Sequence, residues 1–135
     1  MDLKTSLAVS ASGLRAQSLR MRVIAENLAN QDSVSRTAGG DPYRRRVVSF
    51  QAEVDRANGG TAVKISSVDA DKTAFTKVYM PGSPAADAQG YVLKPNVNPL
   101  LEAADMKDAQ RSYEADLNAI EAAKNLTMRT IDLLK

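Results

Sequence analysis

A chain of 135 residues with 44% apolar and 25% charged side chains has the size and composition of one soluble folded protein. Its net charge is only +2 and is dispersed, which gives no electrostatic case for a nucleic-acid partner. It has no cysteine and no histidine, which excludes disulfide frameworks, thiol nucleophiles, thiolate or imidazole metal sites and histidine-dependent triads.

Apolar residues recur at Leu3, Leu7, Leu14, Met21, Ile24 and Leu28, and Ser10 and Gln17 fill the gaps in a 4-3-4-3 spacing. That is a heptad seam, and it predicts an amphipathic helix over residues 3–29. Asp2 is placed to cap it, because its carboxylate can accept from unpaired first-turn N–H groups. Gly13 is the only helix-weakening residue inside, at a cost of about 1 kcal/mol against Ala. The segment lacks the apolar core and cleavage site of a secretory signal peptide. No stretch approaches the roughly 18 apolar residues of a membrane span. These rules point to the cytosol, although some export systems read uncleaved, non-hydrophobic signals.

The middle region, residues 31–97, holds six of the seven glycines and four of the five prolines. Period-two alternation predicts strands at 44–50, 62–68, 74–80 and, briefly, 91–94. Turn signals separate them: Asn58-Gly59-Gly60, Pro81-Gly82-Ser83-Pro84 and Gln89-Gly90, with Gly90 set for positive φ. Asn98-Pro99 then starts a second helix, Asn as cap and Pro at the first helical position. Neither Gly nor Pro follows Pro99. The seam of this helix reads Met106, Gln110, Tyr113, Leu117, Ile120, Lys124, Thr127, Ile131 and Leu134. At about 1.5 Å per residue the helices span roughly 40 and 50 Å.

The expected architecture is α+β: long N- and C-terminal helices forming a coiled-coil-like pair, with a small β-rich middle domain. The boundaries are 1–30, 31–97 and 98–135. Both seams are interrupted by polar residues, and aromatic side chains number only four Tyr and two Phe. An isolated helical hairpin needs a fuller core. The helices therefore gain stability when neighbouring chains cover flanks such as Val23, Leu100 and Leu126, which favours ordering on assembly.

Asn27 and Asn30 lie near a helix end, where they read as C-terminal caps, and Asp41-Pro42 reads as a turn. The same residues also carry a resemblance. Asn27-Leu28-Ala29-Asn30 closing an N-terminal amphipathic helix resembles the N-terminal signature of flagellar rod and hook proteins. Asp41-Pro42-Tyr43-Arg44-Arg45-Arg46, the stretch Tyr79–Val92, Pro95-Asn96-Val97-Asn98 and Ala109-Gln110-Arg111-Ser112-Tyr113-Glu114-Ala115 are similar, in order, to motifs of the proximal-rod members of that family. The chain departs from the pattern at Ser83 and Ala103, where the family often has His and Met.

The resemblance implies a rod subunit of the flagellar basal body, part of a drive shaft crossing the periplasm. Its partners would be its own copies, other rod proteins and the flagellar type III export apparatus, which needs no cleaved signal. The expected assembly interface comprises Leu3, Leu7, Leu14, Met21, Ile24, Asn27, Leu28 and Asn30. On the second helix it comprises Met106, Tyr113, Leu117, Ile120, Ile131 and Leu134. Phe50 and Val54 resemble a short Phe-x-x-x-apolar export motif, a common pattern that reads first as strand-end core residues.

Arg44–Arg46 is too short a cluster for nucleic acid. Solvent, or carboxylates of a neighbour, are the expected surroundings of two of the three. Asp69/Asp71 and Asp105/Asp108 complete no calcium loop and have no catalytic context. No catalytic residue, cofactor, metal or membrane insertion is expected. A non-polymerising coiled-coil adaptor of a secretion system is the rival reading, and an enzyme with a carboxylate-only site is a third.

Overall fold

The computed structural model describes residues 2–57 and 59–135, so Asn58 of the anticipated Asn-Gly-Gly turn lies outside the described residues. Helix α1 runs Leu3–Ala29, strands β1 to β4 run Arg46–Asp55, Gly60–Ala70, Thr76–Tyr79 and Tyr91–Lys94, and helix α2 runs Pro99–Leu133. Two long helices flanking a small set of strands make the chain α+β, as the periodicities require.

The caps explain where the helices start. Thr5 N–H donates to Asp2 Oδ1 at 2.7 Å, and that bond holds the Asp2 carboxyl below its ordinary pKa. At α2, Leu100 and Leu101 N–H groups donate to Asn98 Oδ1 at 3.1 and 3.4 Å, with Pro99 as first helical residue. Asn30 closes α1: its N–H and its Nδ2 both donate to Glu26 O, the latter at 2.8 Å.

The strands form two separate two-stranded sheets, β1 with β2 and β3 with β4. The second is antiparallel, with Thr76 opposite Lys94 and Tyr79 opposite Tyr91. Gly90, at φ 88°, supplies the left-handed turn before β4. A Cβ there would sit 2.8 Å from Tyr79 Cε2, so the tight approach of the Tyr79 ring also requires glycine.

The chain divides into two compact units, each drawing on both helices. One holds α1 through Met21, Val48–Ser67 and Lys107–Lys135. There the helices run antiparallel, with Gly13 against Asp116 and Arg20 bonded to Asp108 at 3.2 Å. The buried residues of this unit are small: Thr5, Ser12, Ala16, Ala109 and Ala123. Small side chains let backbones approach closely. A Cβ on Gly60 would lie 2.6 Å from Thr5 Cγ2, and Val63 N–H donates to Ser12 Oγ at 3.0 Å.

The other unit holds Arg22–Val47 and Val68–Met106. Val23, Ile24, Ala85 and Val92 are its buried apolar residues. Four of the seven buried apolar residues among those described are alanine, so the core is thin, as the composition suggests.

Candidate assembly interface

The buried stripe of α1 is Thr5, Ser12, Gly13, Ala16, Val23, Ile24 and Asn27. It lies beside the apolar heptad of the sequence rather than on it. Leu7, Leu14, Met21 and Leu28 flank that stripe and are half-buried, Leu3 is exposed, and Asn30 is half-buried in its cap. Of the anticipated α1 interface residues, Ile24 and Asn27 are buried within the single chain.

On α2 the buried positions are Glu102, Ala109 and Ala123, and half-buried Asp116 completes their seven-residue repeat. Met106, Tyr113 and Ile120 accompany it, half-buried, while Leu117 is exposed. Beyond Ala123 every described residue is exposed, including Leu126, Met128, Ile131 and Leu133 of the helix and Leu134 just after it. A last stretch that carries five large apolar side chains and buries none has no folding reason of its own.

Phe50 and Val54 lie on β1, and both are exposed, at 41% and 65%. The reading of this pair as strand-end core residues is therefore replaced, since neither side chain is buried within the chain.

A polar cluster in the second unit gathers most of the motif residues. Asn27 is the hub. Its Oδ1 accepts from Tyr43 Oη at 2.7 Å and from Arg46 N–H at 3.0 Å. Its Nδ2 donates to Arg46 O at 2.9 Å and to Glu102 Oε2 at 3.4 Å. Asn27 therefore satisfies both backbone groups of the first residue of β1, which is a strand partner's role rather than a cap's. Burial pushes the Tyr43 hydroxyl pKa up, aided by the nearby Glu26 and Glu102 charges.

Arg45 sits among three carboxylates, one for each guanidinium nitrogen. Nε donates to Glu102 Oε1, while Nη1 lies 3.1 Å from Asp71 Oδ2 and Nη2 lies 3.6 Å from Asp105 Oδ2. Burial works to lower the Arg45 pKa, but the bonds and charges of Glu102 and Asp71 outweigh it and raise it. The Asp71 carboxyl is held below its ordinary value, first by the Thr73 hydroxyl and N–H and then by Arg45. Asn96 completes the cluster, accepting from Arg45 N–H at 2.7 Å and donating to the carbonyls of Asp71 and Thr73.

The three arginines find partners within their own chain, and Arg46 is the one of them that also faces solvent. Arg44 donates to the carbonyls of Asp71 and Thr73 and stacks over Phe75 at 4.1 Å, and Arg46 meets Glu26 at 3.1 Å. The chain turns back on α1 after Asn30, so consecutive residues 44–46 face different segments and each charge is met locally. Tyr43 and Asn96 belong to the motifs of the sequence, which give neither a role, and Glu102 belongs to none of those motifs. The available signal was the seven-residue repeat 102, 109, 116, 123, which is hidden because two of its members are acidic.

No group of three or more His, Cys, Asp or Glu among the described residues is placed to hold a metal ion. No described helix is long and apolar enough to cross a membrane.

Comparison with known proteins addresses the whole chain. A family model described as flagellar basal body rod FlgEFG protein C-terminal matches residues 88–133. The flagellar basal-body rod protein FlgC of Agrobacterium fabrum is 46% identical over 98% of this chain and 96% of its own length. Its Bacillus subtilis counterpart is 41% identical over 96% of this chain and 97% of its own length. The Salmonella typhimurium FlgC is 38% identical, over 98% of each. At these identities over nearly the full length, the chain belongs to the FlgC family of flagellar basal-body rod proteins.

Proposed function

We propose that this chain is a structural subunit of the flagellar rod, not an enzyme, and that it polymerises with its own copies and with other rod proteins through its terminal helices. Residues 1–30 and 98–135 form the wall of a periplasm-spanning shaft, and residues 31–97 are carried outside it. Leu3, Leu7, Leu14, Met21 and Leu28 meet neighbours along α1. Met106, Tyr113, Leu117, Ile120, Ile131 and Leu134 do so along α2. Ile24, Asn27 and Asn30 serve from within, by fixing the end of α1. Torque passes through many such contacts in parallel.

The observation that supports this most is the uncovered last stretch of α2, with Leu126, Met128, Ile131, Leu133 and Leu134 all exposed. Burial of apolar surface is worth about 25 cal/mol per Å², and within the chain these five side chains forgo most of it. The subunit leaves the cell through the type III export apparatus without a cleaved signal. Phe50 and Val54, exposed on β1, are the segment that apparatus reads.

The test is a strain lacking this chain, complemented with the full chain or with one lacking residues 125–135. Basal bodies with membrane rings but no complete rod are expected in the first and last cases. Swimming that survives either change overturns the proposal. Assembly that survives loss of one end indicates a non-polymerising adaptor.

A further inference from the structure

Gly13 is the one helix-weakening residue in α1, and the rod reading gives it no task. Its surroundings do. A Cβ built on Gly13 would stand 2.6 Å from Asp116 Oδ2 and 3.0 Å from Asp116 Cγ and Oδ1. The carboxylate lies flat against the helix at the single position where no side chain intervenes. Any other residue would have to displace the Asp116 carboxylate.

The carboxylate has little to compensate its burial. No hydrogen bond or ion pair engages Asp116 among the described residues, and its burial alone raises its pKa. Along α2 its turn neighbours are Ser112, Tyr113, Ala119 and Ile120, none of them charged at neutral pH. The turn neighbours of Gly13 are Val9, Ser10, Ala16 and Gln17, again uncharged. The nearest charges on the helices are engaged or exposed: Arg20 binds Asp108, while Arg15, Arg111 and Glu114 face solvent. From the β1–β2 sheet, Glu53 and Lys64 line the groove beside Ser12 and Arg15, and both are exposed.

We propose that Gly13 and Asp116 form a charge-sensitive close approach, which keeps this helix pair loose while the carboxylate is ionised and firms it when the charge is neutralised. An ionised carboxylate losing water to the Gly13 backbone opposes close packing, whereas a neutral one packs there as a small polar group. The chain thus carries a brake on its own helix pairing, released by a proton or by a cation brought to the site. The device belongs to the single chain and stands whether or not the chain polymerises.

The sign follows from linkage. The folded form binds the proton more tightly than the unfolded form, so Asp116 favours folding at low pH and this contribution is lost as pH rises through its raised value. The test uses the full chain, reading helical ellipticity and thermal midpoint against pH. Asp116→Asn is expected to be more helical and to melt about 3 °C higher than the parent at pH 7, with the gap closing toward pH 4. Gly13→Ala is expected to lower the midpoint in the parent and to raise it in an Asp116→Ala background, where the helix-propensity gain is no longer opposed. A gap between parent and Asp116→Asn that does not change with pH overturns the proposal. So does an Asn variant that folds less well at neutral pH, or a Gly13→Ala change that raises the midpoint in both backgrounds.

Discussion

Asn27 Nδ2 lies 3.4 Å from Glu102 Oε2, joining two side chains 75 positions apart, each 1% exposed. Asn27 ends one helix and Glu102 opens the other, so this contact ties the two chain ends of their unit. It does so with polar groups, whose value depends on every partner being present.

Removing Asn27 shows that dependence. Asn27→Ala leaves Arg46 N–H and O and the Tyr43 hydroxyl without their buried partner, at about 1–3 kcal/mol for each stranded group that water cannot reach. A loss of about 2–4 kcal/mol is expected by urea unfolding, with m unchanged. Asn27→Asp should cost more, since it sets a second carboxylate against Glu102 and removes the donor.

The Arg45–Glu102 pair predicts strong non-additivity. Arg45→Met strands the Glu102 carboxylate, which is 1% exposed, and should cost about 3–5 kcal/mol. Glu102→Leu alone removes the main partner of a guanidinium that keeps Asp71 and Asp105, so its cost should be smaller. The double variant should recover most of the larger loss, because a buried ion pair replaced by apolar groups is close to neutral. A double-mutant cycle by chemical denaturation reads the coupling. Simple addition of the two losses would show that the pair does not act as a unit.

The helices were legible because they rest on local chemistry. Asp2, Asn98 and Pro99 cap where capping rules put them, and the heptads run nearly the lengths observed. The alternating stretches became β1 to β4 with edges moved by a few residues, because strand ends depend on pairing partners that the local pattern does not contain. The inward face of the helices was not legible. Thr5, Ser12, Gly13 and Ala16 are inside because their smallness admits another backbone, while the apolar rule seeks large residues and finds Leu7 and Leu14 beside them. Asn27 was marked as a motif residue, but its task depends on Arg46 and Glu102, which only the fold brings to it.

Asp71 gives a pH prediction opposite in sign to that of Asp116. Its carboxyl is held below the ordinary value, first by Thr73 and then by Arg45. Its stabilising effect is therefore complete above the ordinary carboxylate range and is lost as pH falls through the lower folded value. Asp71→Asn should be less stable than the parent at pH 7, and the difference should shrink as pH falls below the ordinary carboxylate value. Urea midpoints across that range check it, and a constant difference would mean that geometry rather than charge carries the contribution.

The end of α2 separates folding from assembly most cleanly. Leu133 and Leu134 are 86% and 82% exposed, so the single chain gains almost nothing from their apolar area. Leu133→Ser with Leu134→Ser should shift unfolding free energy by no more than about 0.5 kcal/mol. If these side chains meet neighbouring subunits, the same pair forfeits up to about 1.5–3 kcal/mol of burial per leucine at every contact in the assembly. Rod completion and swimming should then fail in a strain whose subunit is present at normal levels. Ala109→Leu is the converse control. Its side chain is fully buried beside α1, so overpacking should cost about 1–3 kcal/mol in the isolated chain. If the serine pair lowered the unfolding midpoint as much as Ala109→Leu, the end of α2 would belong to the chain's own fold and the surface assigned to neighbouring subunits would lie elsewhere.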